Sequence, residues 1–180
     1  IEFPHLLELI KGNQFDTIYH EHYSYLSLNF LIRISTKFNM EVIDVEELKT
    51  HGGSLRVWLS HKDTYPINAK VNQLRKKEIE FGLESLDLYK DFQGKCELIR
   101  ISLINYLLTS YKNGKKVIAY GAAAKGNTLL NYSGIKPVLL THVIDKANSK
   151  QNRFLPGSHI PIVSEEILNS NKVDTLLILP

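Results

Sequence analysis

An apolar strand, a turn of small residues and the start of a helix follow one another in Lys116-Val117-Ile118-Ala119-Tyr120-Gly121-Ala122-Ala123-Ala124-Lys125-Gly126-Asn127-Thr128-Leu129-Leu130. A strand that leads directly into a helix is the repeating unit of α/β domains with parallel sheets. A second apolar run, 138–144, predicts another strand that ends at Asp145, and a third strand is predicted from about Val173. Residues 114–180 are therefore predicted to form a small doubly wound α/β unit.

The turn in this stretch is a candidate anion site. Small residues allow backbone N–H groups to approach an anionic ligand, and the positive end of the helix dipole attracts it. Lys125 would add a full positive charge. The spacing Gly121-x-Ala123-x-x-Gly126 lacks the second glycine of the dinucleotide fingerprint, although Asp145 lies about where a ribose-binding acid would be. The pattern favours a nucleotide over NAD, and the alternative is that the small residues only allow close packing of the helix on the strand.

The middle of the chain is predicted to be helical. Residues 68–111 contain no proline and are rich in Lys, Glu, Leu and Ile, with apolar side chains recurring among the charged ones. Gly82 and Gly94 are candidate interruptions. We therefore expect two helices, each with a charged, solvated face.

The first third of the chain mixes helix and strand signals. Apolar residues recur close to a 3.6-residue period at Leu26, Phe30, Leu31, Ile34 and Phe38. This spacing predicts one buried helix face within 25–38. The runs 40–45 and 53–59 predict two strands that could pair antiparallel. The loop between them exceeds a tight hairpin and leaves room for a functional segment.

Two histidines, a carboxylate and three phenols occupy seven consecutive positions at the end of Phe15-Asp16-Thr17-Ile18-Tyr19-His20-Glu21-His22-Tyr23-Ser24-Tyr25. Histidine titrates near neutral pH, a carboxylate can fix its tautomer, and a phenol can donate to a developing oxyanion. We interpret the segment as an active-site strand and loop for proton transfer. Two alternatives stay open: structural histidines in a polar network, or a zinc site with His51 as a distant ligand.

A glycine pair marks a second candidate segment. His51-Gly52-Gly53-Ser54 has the flexibility of a loop that wraps a ligand, and it is also an adequate entry to a strand. Arg56, on the following strand, could pair with a phosphate or with a carboxylate at the edge of the core. Ligand loop and strand entry both stay open for residues 51–54, and phosphate and carboxylate both stay open as partners of Arg56.

Composition excludes several classes of protein. The 180 residues are 43% hydrophobic with a net charge of +3, and the basic residues are scattered, so no dedicated nucleic-acid surface is indicated. The single cysteine, Cys96, excludes an internal disulfide framework and a cysteine-rich zinc site. No apolar run reaches the roughly 18 residues that span a bilayer, so we expect a cytoplasmic location. Both ends stop abruptly, so we expect a fragment of a longer protein.

Three motifs occur in order along the chain: the segment 16–25 quoted above, His51-Gly52-Gly53-Ser54-Leu55-Arg56-Val57, and Tyr120-Gly121-Ala122-Ala123-Ala124-Lys125-Gly126-Asn127-Thr128-Leu129-Leu130-Asn131-Tyr132. Together they resemble the sugar-nucleotide C-methyltransferase family, and the resemblance spans nearly all of the chain. Enzymes of that family use S-adenosylmethionine to methylate a ring carbon of a nucleotide-linked keto-deoxysugar. The resemblance therefore implies a methyltransferase.

The resemblance also implies a domain organisation. Residues 1–62 would be the end of a Rossmann-type methyltransferase domain, 63–113 a helical linker, and 114–180 a truncated C-terminal Rossmann-like α/β domain. The family's N-terminal zinc domain and its main binding motifs for S-adenosylmethionine are expected before Ile1. The fragment is therefore expected to be inactive alone. At the place of His5 the family more often has a tyrosine.

The chemistry that the resemblance implies is proton abstraction from a carbon alpha to a ketone, giving an enolate that attacks the methyl group. By motif position, His22 is the base, Tyr19 polarises the keto oxygen or shuttles a proton, and Glu21 orients His22. The predicted substrate-binding residues are His20, His51, Ser54, Arg56, Gly121, Lys125, Gly126 and Asn127. No metal site is predicted in this chain.

Two other functions stay open at this point. The chain could be a nucleotide- or nucleotide-sugar-binding module without catalysis of its own. It could also be part of an NAD-dependent oxidoreductase, with the dinucleotide bound at Gly121 and Asp145. The predicted partners are the nucleotide-sugar substrate and the missing N-terminal zinc and methyl-donor domains, with no nucleic acid or membrane partner.

Overall fold

A computed structural model of the chain describes residues 1–170 and 173–180. These residues form two compact units. The first comprises Ile1–Phe15 and Glu21–Gly94, and the second comprises Asp16–His20 and Lys95–Pro180. Strands and helices occur in both, and the second unit has a parallel sheet, so the predicted α/β class is confirmed. The division into 1–62, 63–113 and 114–180 concerns domains of a longer protein and stays a prediction.

The first unit is built on a three-stranded antiparallel sheet. Its elements are β1 (Glu2–Pro4), α1 (Leu6–Lys11), α2 (Leu28–Thr36), β2 (Met40–Leu48), β3 (Ser54–His61) and α3 (Ala69–Phe81). The strand order is β1-β3-β2, with Phe3 opposite Leu55 and Val45 opposite Val57. The predicted antiparallel pairing of 40–45 with 53–59 is confirmed. That this sheet ends a Rossmann-type domain stays a prediction.

Two helices cover this sheet and form its core. Buried side chains of α2, α3, β2 and β3 pack together: Leu28, Leu31, Val42, Val45, Leu55, Val57, Val71 and Leu74. The helix predicted within 25–38 is α2, which begins later because the Ser27 hydroxyl caps it by accepting the Phe30 N–H at 3.1 Å. A second cluster, with Leu7, Leu9, Ile10 and Leu83, lies around α1.

One of the two predicted interruptions in the helical region is correct. Gly82 ends α3 with a left-handed φ of +90°, the conformation that glycine adopts at little cost. Gly94 interrupts nothing, because α4 runs from Leu86 to Lys112 through it. An exposed glycine costs a helix only about 1 kcal/mol relative to alanine, which the surrounding helix formers outweigh.

The second unit contains the parallel sheet that the βα stretch predicted. Its elements are the end of α4, β4 (Val117–Tyr120), α5 (Ala124–Tyr132), β5 (Val143–Ile144), β6 (Ile162–Val163), α6 (Ile167–Ser170) and β7 (Thr175–Ile178). All neighbouring strands in the order β6-β5-β4-β7 are parallel. The chain runs outward from β4 through β5 to β6 and then places β7 on the other side of β4, so the connection order reverses between β4 and β7. In open parallel sheets such a reversal leaves a crevice at the carboxyl ends of the two strands, here beside Gly121 and Leu179.

The strand predicted for 138–144 is wrong over most of its length. Only Val143–Ile144 is strand, and the Leu139 and Leu140 amides donate to Lys136 O in a turn. Leu140 is buried from that turn, while Val138 is 62% exposed. A short apolar run does not distinguish a buried turn from a strand, because both bury leucine and valine.

Candidate functional site

The histidine-rich segment forms turns, so the predicted strand within it is wrong. Phe15–Thr17 is a single 3-10 turn, and irregular backbone continues to Tyr25. Its side chains do not alternate between apolar and polar, so no face is available for a sheet to bury. Phe15 and Thr17 are buried, whereas Tyr23 is 94% exposed. The segment is thus a loop anchored at its start.

The boundary between the two units runs through this loop, between His20 and Glu21. Tyr19 and His20 belong to the second unit, where their rings are tilted with centroids 6.2 Å apart. Glu21 and His22 belong to the first unit, where the Tyr25 hydroxyl donates to His22 O at 3.1 Å. The structure therefore gives local contacts on each side of the boundary. The roles of Tyr19, Glu21 and His22 stay predictions.

The glycine pair forms a tight turn against α1 and the residues after it. His51, Gly52 and Gly53 have φ values of +53°, +83° and +121°. A Cβ at Gly52 would lie 2.6 Å from Gln14 Oε1, and a Cβ at Gly53 would lie 2.7 Å from Glu8 Cβ. The positive φ favours glycine at both positions, and at Gly53 the Glu8 Cβ also leaves no room for a side chain.

Ser54 follows the turn and is buried, and its hydroxyl donates to Thr50 O at 3.1 Å. These contacts are those of a residue that begins a strand, the second of the two interpretations of this segment. Ligand binding at His51 and Ser54 stays a prediction. The turn borders an open cavity of about 460 Å³ in the first unit. The residues that line it are His5, Glu8, Glu47, Leu48, Lys49, Gly52, Gly53 and Ser54.

Arg56 contacts carboxylates, the second of the two partners considered for it. Its Nε and Nη2 donate to Glu2 Oε2 at 3.1 and 2.9 Å, and its Nη1 donates to Glu46 Oε2 at 3.0 Å. The hydrogen bond and charge of Glu2 raise the pKa of Arg56 above its ordinary value, with a smaller contribution from Glu46. All three groups are exposed, so the ion pairs contribute little to stability. A contact of Arg56 with substrate stays a prediction.

Asp145 holds the turn between β4 and α5. Its Oδ2 accepts from the Ala122 N–H at 2.9 Å and from Lys150 Nζ at 3.0 Å, while its Oδ1 accepts from the Ala147 N–H at 2.9 Å. Burial alone would raise the pKa of this carboxyl, but those hydrogen bonds and the Lys150 charge together hold it below its ordinary value. Three acceptor positions of the carboxylate are thus used within the protein, which disfavours a ribose-binding role.

Sequence reasoning missed Lys150. Its Nζ also donates to Ala122 O at 2.9 Å. Lys150 therefore binds both the Asp145 carboxylate and the residue whose amide that carboxylate accepts. A second missed group lies nearby: the Tyr120 hydroxyl donates to Glu165 Oε1 at 2.6 Å, and Lys146 Nζ is 3.6 Å from the same oxygen. The hydrogen bond to Glu165 raises the pKa of Tyr120. No spacing signal in the sequence links these residues.

The other predicted residues of this turn differ in what the structure gives them. Gly121 has a φ of +102°, which favours glycine. A Cβ at Gly126 would lie 2.9 Å from Leu179 Cβ, so the missing side chain allows packing, as the alternative reading held. Asn127 Oδ1 accepts from Asn131 Nδ2 at 3.2 Å. Lys125 is half-buried in the first turn of α5, whose N-cap residue, Ala123, offers no side-chain hydrogen bond.

A buried ionisable pair in the first unit was also missed. His5 Nε2 lies 2.7 Å from Glu78 Oε1, and the two side chains are 1% and 0% exposed. Glu78 Oε1 also accepts the Leu28 N–H at 2.6 Å, and its Oε2 accepts the Asn29 N–H at 2.8 Å. The partners lie far apart in sequence, so no local pattern reveals them.

Residues 1–170 and 173–180 contain neither a metal-binding cluster nor a membrane-spanning helix. No group of three or more His, Cys, Asp or Glu side chains in that part of the chain could hold a metal ion. None of its helices combines the length and the apolarity that crossing a bilayer requires.

Comparison with known proteins places the chain in a family. Residues 49–180 match the family described as "C-methyltransferase C-terminal domain". The chain belongs to this family. The C-methyltransferase NovU of Streptomyces niveus is 34% identical over 99% of this chain, which spans 43% of the length of that relative. The predicted membership of a C-methyltransferase family is therefore confirmed.

Proposed function

We propose that this C-methyltransferase C-terminal domain chain supplies the acceptor-binding and proton-transfer half of an S-adenosylmethionine-dependent C-methyltransferase. The observation that carries the proposal is the match to that family together with the similarity to a C-methyltransferase along nearly the whole chain. The acceptor in this proposal is a nucleotide-linked keto-deoxysugar, and the place of reaction is the cytoplasm.

The proposed step is removal of a proton from the carbon alpha to the keto group. His22 takes the proton, the electrons of the C–H bond form the enolate, and Tyr19 donates a hydrogen bond to its oxygen. Glu21 orients the His22 ring. The hydrogen bond from Tyr25 to His22 O supports this assignment, because it fixes the backbone from which the base projects.

The proposed acceptor contacts fall into two groups. His20, His51, Ser54 and Arg56 would bind the sugar, and the turn at Gly121, Lys125, Gly126 and Asn127 would bind the diphosphate. The uncapped amides at the start of α5 and the charge of Lys125 support the second group, because both attract anions. Asp145 and Lys150 would then shape the turn without contacting the ligand.

The described residues do not fit the methyl donor. A donor site of this class needs a glycine-rich turn and a free acid for the ribose, whereas Asp145 accepts three hydrogen bonds from within the unit and Leu179 fills the space at Gly126. We therefore derive no methyl-transfer step from this chain. In our proposal the donor binds to the part of the longer protein that corresponds to the remainder of the relative.

The test is turnover by the full-length protein that contains this chain. His22→Ala should lower kcat by about 100- to 10,000-fold, because a positioned base contributes about that much. His61→Ala is the matched control, since His61 is an exposed histidine of β3 outside the proposed site. Near-normal turnover of His22→Ala would reject the base assignment.

A nucleotide-binding module without catalysis is the second candidate, and the position of Gly121 at the carboxyl end of β4, where open parallel sheets bind ligands, favours it. Calorimetric titration with thymidine diphosphate should show binding that Lys125→Ala weakens. If the diphosphate binds while no acceptor is ever methylated, this candidate replaces the first. The NAD-dependent oxidoreductase loses its main support with the three internal hydrogen bonds of Asp145.

A further inference from the structure

The buried pair of His5 and Glu78 stands outside the roles proposed so far. Glu78 lies in the last turn of α3, and its carboxylate accepts three hydrogen bonds although the side chain is fully buried. The two backbone amides can only donate, so both carboxylate oxygens act as acceptors. We assign the hydrogen between His5 and Glu78 to His5 Nε2, the tautomer in which both oxygens of an ionised carboxylate act as acceptors only. Removing a carboxylate from water costs free energy, and the three hydrogen-bond partners of Glu78 offset that cost.

The pair joins two segments that carry predicted site residues. The His5 N–H donates to Gly53 O at 3.0 Å, in the turn that begins at His51. The next amide, Leu6 N–H, donates to Leu26 O at 3.0 Å, and His5 and Leu26 form an isolated parallel bridge. The His5 amide thus binds the glycine turn, and the adjacent Leu6 amide binds Leu26 at the end of the loop that contains His22.

The Glu78 carboxylate completes the second connection. It binds the Leu28 and Asn29 amides, which are the first two amides of α2, immediately after the His22 loop. Within the loop, the Tyr25 hydroxyl donates to His22 O, and the Tyr25 side chain packs against the cluster around Leu7 and Leu9. The loop from Glu21 to the start of α2 is therefore fixed at three points: the Tyr25 contact, the backbone bond of Leu6 beside His5, and the Glu78 carboxylate that His5 contacts.

We propose that His5 and Glu78 are positioning residues that hold the His22 loop and the His51 turn in the arrangement required for proton transfer. The catalytic part of this proposal rests on the proposed function, whereas the structural part does not. Neither side chain touches the substrate in this proposal. The pair acts by fixing the backbone of the two segments, so its loss should lower kcat and leave the affinity for the methyl donor unchanged.

The test compares His5→Leu with His5→Gln in the full-length protein. Leucine removes the donor to Glu78, whereas the glutamine amide can restore it near the place of Nε2. Val42→Ala is the control for general loss of stability, because it empties a buried site in the same core as Leu28 without removing any hydrogen bond of the pair. Amide hydrogen exchange at Leu6 and Leu28 is read by NMR or mass spectrometry, and turnover is measured at saturating substrate.

We expect His5→Leu to exchange about tenfold faster at both amides and to lose about tenfold in kcat, as for a lost hydrogen bond to a charged group. His5→Gln should stay within about threefold of wild type, and Val42→Ala should retain its kcat. Unchanged exchange in His5→Leu would overturn the proposal, as would normal kcat alongside fast exchange. Absence of methylation by the wild type would reject the proposed function instead, and the exchange result would still decide whether the pair holds the two segments.

Discussion

At the scale of single residues, the close approach of α5 to the end of β7 depends on the missing side chain of Gly126. Gly126 is buried, and Leu179 occupies the space that a Cβ would need. The nearest atom is the Cβ of leucine, which cannot move without the backbone. The contact therefore leaves no room for even the smallest side chain.

We predict that Gly126→Ala lowers the free energy of unfolding by about 1–2 kcal/mol, as overpacking a buried site does. Urea unfolding followed by circular dichroism measures the effect. Leu179→Gly in the same chain should recover part of the loss, because it removes the Cβ that the new methyl group meets. Equal stability of Gly126→Ala and wild type would mean that α5 and β7 separate easily, against the packing described above.

Residue-level reasoning from sequence identified Gly121, and the structure gives it the positive φ that favours glycine. It did not identify Lys150 or the His5–Glu78 pair. The reason is physical: a hydrogen bond between elements depends on which helix packs on which strand, and no periodicity in the sequence records that. The roles of Tyr19, Glu21 and His22 come from motif order and not from geometry.

At the scale of elements, α4 is the clearest case in which a local signal is outweighed. Gly94 lies exposed in the middle of the helix, and a Cβ there would meet no atom within 4 Å. The glycine therefore contributes only its conformational cost. The same Gly→Ala change that α5 cannot accommodate is free of steric conflict in α4.

We predict that Gly94→Ala raises the free energy of unfolding by about 0.5–1 kcal/mol, the propensity difference between the two residues in a helix. The measurement is the same urea titration used for Gly126→Ala, so each variant serves as the control for the other. A destabilised Gly94→Ala would show that the glycine has a role in α4 other than the one described here.

Sequence patterns predicted the elements better than their lengths. The antiparallel pair β2 and β3, the helix α2 and the left-handed end of α3 at Gly82 all follow from local periodicity and turn chemistry. The strand expected at 138–144 failed because Leu140 is buried by a turn. A buried turn and a buried strand both contain apolar residues such as leucine and valine, so the residue types alone do not distinguish them.

At the scale of the whole molecule, two groups make the folded chain sensitive to acid. Burial, with the nearby charge of Lys116, lowers the pKa of His142 below its ordinary value of 6.5. Asp145 has a pKa below its ordinary 3.8, because its hydrogen bonds outweigh the effect of burial. For both groups the folded state holds the proton less tightly than the unfolded state does. Each contribution to stability is therefore present above the ordinary pKa and is lost as the pH falls through the folded one.

We predict that the free energy of unfolding falls between pH 7 and pH 5, where His142 begins to bind its proton in the unfolded chain. His142→Gln, which cannot titrate, should show a smaller fall over the same range. The contribution of Asp145 is lost only below its ordinary pKa, and Asp145→Asn should remove that acid step. A variant without His142 that loses stability as steeply as wild type would contradict the assignment.

The contact between Gly126 and Leu179 also bears on how this family can diverge. The two positions belong to elements well separated in the chain, yet the volume available to one is set by the other. A lineage that acquires a side chain at position 126 must first, or at once, lose the side chain at position 179, since the intermediate that carries both is penalised. Substitutions at these two sites should therefore be inherited as a pair, in a fixed historical order, while Gly94 drifts on its own.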